Sequence, residues 1–218
     1  MKRFTAPLIA TAAGAVMLLG TSPVLAHGAA AGGALGGLTH PLLGLDHLFM
    51  LMAVGTAASL ISARLLVWAL AGAVLGAAIG LAGLNLPSAE VMAALSISAV
   101  AGLSLLASKA VRTADANGPI SIRGAVVGAV VGAVVGAVVG AVVGSGVAIH
   151  AMLHGLEAPQ DGNTLIWWSG ALLSSALVCA GTCLLLKKLP QSLTKAAAIT
   201  LIAIGGLLAI GQVGLLAG

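Results

Sequence analysis

Two short stretches carry most of the chemistry in this chain. In "HPLLGLDH", residues 40–47, His40 and His47 stand seven apart, with Asp46 beside the second. In "HAMLHGLE", residues 150–157, His150, His154 and Glu157 fall at i, i+4 and i+7, a single stripe on a helix. A separation of seven also returns to nearly one face, so the spacing predicts that His40 and His47 share a side. Pro41 would then occupy the first turn of the helix they open. Each stretch offers two imidazoles and a carboxylate. Such groups are ligands for nickel, zinc, copper or iron, and a carboxylate beside a histidine also orients its ring. Other uses of the same residues are an interfacial side chain, a hydrogen bond between helices, and a proton relay.

The elements that must position these groups are apolar. Hydrophobic residues make up 60% of the 218 and charged ones 6%, where a soluble domain carries about a quarter charged. Mean hydropathy is +1.19. This excludes an ordinary soluble domain, and the net charge of +4 is too dispersed for nucleic-acid binding. Residues 1–26 read as a secretory signal peptide. Lys2 and Arg3 precede an apolar run, and Pro23 precedes the small residues Val24 and Ala26. Cleavage there would leave His27 as the mature N-terminus. Hydropathy and length then predict an all-α integral membrane protein, a six-helix bundle over 27–218. The approximate spans are 41–62, 65–84, 90–108, 124–153, 164–186 and 196–217. No soluble domain is expected.

Charge placement orients the bundle. Arg64, Lys109, Arg112, Arg123, Lys187, Lys188 and Lys195 all fall at alternate connections, on one side. By the positive-inside rule that side is cytoplasmic, so both mature termini face the periplasm of a bacterial inner membrane. All five histidines then lie in the outer half with Asp46, Glu90, Glu157 and Asp161, and only Asp115 is on the inner side. Residues 124–144 repeat "GAVV", which places a glycine ridge along the fourth span or merely supplies apolar length. At about 30 residues that span exceeds the hydrocarbon thickness of about 30 Å, so it must tilt, protrude or begin later. Trp167 and Trp168 read as an interfacial anchor. Cys179 and Cys183 read as small packing residues or otherwise soft ligands, and Met50, Met52, Met92 and Met152 as gap-fillers or otherwise aids to a soft metal.

The first stretch resembles the H-x5-D-H motif of the HupE/UreJ family of nickel and cobalt permease-like membrane proteins. "IHAMLHGLE", 149–157, resembles that family's F-H-G-x-[AV]-H-G-x-E, with Ile149, Ala151 and Leu153 departing from it. The likeness extends over the signal peptide, the six spans and both motifs. It implies uptake or delivery of a divalent transition metal, Ni2+ or otherwise Co2+, Zn2+ or Cu2+, in support of hydrogenase or urease maturation proteins. It also implies His40, Asp46, His47, His150, His154 and Glu157 as metal contacts. Glu90 is a further acidic neighbour, alternatively an interfacial carboxylate. His27 could chelate through its ring and a freed α-amine, and is otherwise a mobile terminus.

A permease rather than an enzyme is therefore expected, in contact with lipid and a metal ion. Capture should weaken below roughly pH 6, because protons compete for imidazoles of reference pKa about 6.5. No phosphate-cradling G-x-x-x-x-G-K-[ST] loop is present. Two alternatives use the same residues: an intramembrane metal-dependent hydrolase with Glu157 as base, and a bis-histidine haem protein.

Overall fold

The computed structural model describes residues 33–116, 122–158 and 163–217. The signal segment 1–26, His27 and Asp161 lie outside the described residues. Among the described residues there are seven helices and no strand. They are α1 Gly33–Leu43, α2 Leu45–Leu60, α3 Leu65–Leu81, α4 Ala89–Ala116, α5 Ile122–Glu157, α6 Thr164–Lys188 and α7 Gln191–Ala217.

Four of these contain stretches long and apolar enough to cross a membrane: Ala89–Ala110, Gly128–Glu157, Thr164–Lys188 and Gln191–Leu215. The molecule thus fits a multi-pass membrane protein. The expected first span, 41–62, is instead a broken pair. α1 and α2 meet at Gly44 with a bend of 76°, because Gly44 takes an extended conformation (φ −75°, ψ 110°). Pro41 lies inside α1 rather than opening a spanning helix. The second expected span, 65–84, is also shorter than its hydropathy suggested. α3 has 17 residues, about 25 Å at the usual rise. It ends because Gly83 adopts a positive φ of 76°. The Gly83 and Leu84 N–H groups then close back onto the Gly80 and Ile79 carbonyls at 2.8 and 3.2 Å, the Schellman arrangement.

Small residues set the packing. A methyl group added at Gly72, Gly76 or Gly80 would drive into the backbone carbonyls of Gly144, Ala148 or Met152 respectively. α3 and α5 therefore lie parallel and in backbone contact, a ridge of small residues at every fourth position. α4 runs antiparallel to α5, with Ser96 at the level of Gly146 and Ala89 and Ala93 against Met152 and Leu153. α7 runs antiparallel to α4, since Ser98 donates to the Ile202 carbonyl at 2.7 Å while Gly205 abuts Ala94. α2 passes through the middle, where Ala53, Val54, Thr56, Ala57 and Ala58 are all buried. Its Gly55 meets Cys179 and Thr182 of α6.

Successive segments from α2 to α7 thus alternate in direction. Arg64, Lys109, Lys187, Lys188 and Lys195 gather at one end of the bundle, and the histidines at the other. Roughly 30 Å of α6 separates Trp167 from Lys187, the thickness of a hydrocarbon core. The apolar span of α5 begins later than expected, at Gly128, while the helix itself has 36 residues and extends about 54 Å, past the level at which α3 starts.

Candidate metal centre

The bend at Gly44 builds the site. His40 stands in the last turn of α1 and His47 in the first turn of α2. They do not share a helix face, as the seven-residue spacing predicted; the 76° bend folds one towards the other instead. Their ring centroids are 5.9 Å apart. α5 supplies His154, whose centroid lies 4.4 Å from that of His40 and 3.7 Å from that of His47. His150, one turn back on α5, is 5.3 Å from His47. Four imidazoles from three helices form one cluster, and His47, His150 and His154 are buried.

Hydrogen bonds fix two of the rings. His47 Nδ1 lies 2.8 Å from Asp46 Oδ1. A carboxylate accepts, so Nδ1 carries the proton and Nε2 keeps its lone pair. His150 Nδ1 lies 3.0 Å from the Gly146 carbonyl, which can only accept, so its Nε2 is likewise left as a lone pair. His154 Nδ1 is 2.7 Å from His40 Nε2 and 3.9 Å from Glu157 Oε2. The Nε2 atoms of His47, His150 and His154 are all buried without a hydrogen-bond partner. Each unsatisfied buried polar atom costs about 1–3 kcal/mol, so the two lone pairs of His47 and His150 call for an electrophilic partner. One nitrogen each from His40, His47 and His154 lie within 4.8 Å of one another, a spacing that could hold a metal ion. Imidazole nitrogen suits divalent transition metals, and the Asp46–His47 contact has the form of an outer carboxylate orienting a ligand. The donor set fits such an ion.

These rings line a cavity of about 80 Å³ together with Met50 and Trp167. A larger apolar cavity of about 340 Å³ adjoins it between α3 and α6, sharing Leu51, Ala73, Val147, Leu172 and Ser175 in its lining and reaching Cys179. Asp46 touches the cluster through His47, and Glu157 stands at its edge beside His154. Glu90, in the first turn of α4, does not line the cavity.

Three residues stand closer to the site than the sequence reading placed them. Trp167 is not an interfacial anchor; it is 0% exposed, with its ring 5.0 Å from His40. Backbone contact between Gly37 of α1 and Trp167, and between Gly170 and Leu38, clamps α1 over it. The clue was available: a chain with few aromatic residues places two at the depth of its histidines. Gly146, whose carbonyl orients His150, carried no such signal. Met50, read as a gap-filler, does fill space, yet it also lines the histidine cavity and receives the Ser96 hydroxyl at 3.7 Å.

Fold and site together define an all-helical, multi-pass membrane protein with a buried cluster of histidines at one end. The family model described as HupE / UreJ protein matches residues 15–209. The chain belongs to that family. No curated protein and no solved structure matches it.

Proposed function

We propose that this protein captures a divalent transition-metal ion, foremost Ni2+, at the His40–His47–His150–His154 cluster, and passes it inward for hydrogenase or urease maturation. The observation that carries this reading is the set of three buried imidazole nitrogens without partners in one small cavity. Asp46 orients His47, and Glu157 supports His154 at the rim. The positive-inside rule sets the lysine end in the cytoplasm and the histidine end towards the periplasm of the inner membrane. Both termini of the mature chain then face outward, after removal of the signal segment.

Capture at this site exchanges part of the ion's hydration shell for imidazole nitrogen. Release requires that the hold be loose, as in any conduction site. The adjoining larger cavity presents only Ser175 and Cys179 as polar side chains, so an ion moving that way would leave a strong donor set for a weak one. Uptake of radiolabelled Ni2+ in cells lacking other nickel importers tests the proposal. His47→Ala and His154→Ala, at matched membrane abundance, should each lower uptake at least about tenfold. Equal uptake by all three proteins would overturn it.

A further inference from the structure

We infer that the cation bound here keeps oxygen ligands, and that the indole N–H groups of Trp167 and Trp168 hold those oxygens. This rests on the metal reading above. The residues lining the cavity carry two kinds of unpartnered polar atom. His47, His150 and His154 bring buried Nε2 atoms without partners; Trp167 and Trp168, lining the same cavity, bring buried Nε1 atoms without partners. Those of His47 and His150, left as lone pairs, need something positive. An indole nitrogen is a donor only and needs an acceptor.

A bare cation would satisfy the imidazoles and leave the indole N–H groups without an acceptor. A cation carrying water or a small carboxylate satisfies both sets. Size agrees. One water needs about 10–15 Å³ of such space, and the cavity has about 80 Å³, room for an ion with several oxygen ligands. Trp167 is the better placed of the two: it is fully buried, 5.0 Å from His40 and 6.4 Å from His154 between ring centroids. Trp168 stands edge-on to it at 5.2 Å. Neither indole touches the metal in this scheme; both position its remaining ligands.

Co2+ bound to the purified full-length protein reports coordination number by its visible absorption. With oxygen ligands retained, the wild type should show the weak bands of five- or six-coordinate Co2+. Trp167→Phe keeps the ring and removes the donor. It should weaken Co2+ binding roughly 3- to 10-fold and shift the spectrum towards the intense bands of a four-coordinate ion. Trp168→Phe should do the same to a smaller degree. Repeating the titration with acetate present separates water from carboxylate as the oxygen source: a spectral change that needs intact Trp167 identifies carboxylate, and no change identifies water. An intense four-coordinate spectrum in the wild type overturns the inference without any variant, as does a Trp167→Phe protein with unaltered affinity and spectrum. Absence of Co2+ binding in the wild type would instead overturn the metal reading beneath it.

Discussion

Gly140 and Gly144 stand at the same spacing in the repeat as Gly128, Gly132 and Gly136, yet the two groups meet different surroundings. A methyl group added at Gly140 would strike the Trp68 indole at 2.6–2.7 Å, and one at Gly144 would lie 3.3 Å from the Trp68 carbonyl. Nothing lies within 4 Å of the same position at Gly128, Gly132 or Gly136. The difference comes from the partner, not from the repeat. α3 pairs Gly72 with Gly144 and Gly80 with Met152, so its start at Leu65 falls level with about residue 137 of α5. Beyond that level no helix among the described residues receives the glycine ridge. Periodicity prepares a surface for contact; the length of the neighbour decides whether contact occurs.

The packed stretch of α5 also carries His150 and His154, so the site depends on it. The largest effect is therefore expected at Gly76, whose added Cβ would enter the Ala148 carbonyl. Backbone cannot yield as a side-chain tip can. Gly76→Val should cost more than the roughly 1–3 kcal/mol usual for overpacking, seen as loss of the monodisperse protein on size exclusion in detergent. A stable Gly76→Val protein would break the comparison at its stronger half.

Within the cluster the effects should be graded. His154 contacts His40 directly and belongs to the group whose nitrogens lie within 4.8 Å. His154→Ala should lower Ni2+ affinity at least about 100-fold by isothermal titration, beyond the 10- to 100-fold typical of an orienting residue. His150, outside that close group, should cost about tenfold when changed to Ala. Asp46→Asn should also cost about tenfold, because the amide oxygen still accepts from His47 Nδ1 but brings no charge. Equal losses at His150 and His154 would mean that all four rings coordinate as one set.

Both histidine motifs, the all-helical class and the alternation of direction were legible from residue type and hydropathy. The geometry that joins the motifs was not. His40 and His47 do meet, but through an extended Gly44, and a glycine between leucines gives no local sign that the chain will turn there. The far ends of α4 and α5 ran past the expected spans for a simpler reason. Hydropathy windows stop at Lys109, Arg112 and Arg123, whereas lysine and arginine are good helix formers. Trp167 illustrates a third limit. Residue type suggested an interfacial anchor, yet Trp167 is buried beneath α1, an element that the expected spans divided at Pro41.

The smallest effect is expected at Gly132. Its helical neighbours stay fixed and no atom stands within 4 Å of an added Cβ, so Gly132→Leu meets no steric obstacle. Replacing glycine inside a helix removes a cost of about 1 kcal/mol relative to a good helix former. The variant should melt at or slightly above the wild-type temperature, with Ni2+ affinity unchanged and the same elution volume. The contrast with Gly76→Val isolates the cause, since both changes add a branched apolar side chain to a glycine of a four-residue ridge. Should Gly132→Leu destabilise the protein or shift its elution, something outside the described residues is seated on the ridge. The distinction between the two stretches of α5 would then lie in which partner each has, rather than in whether it has one.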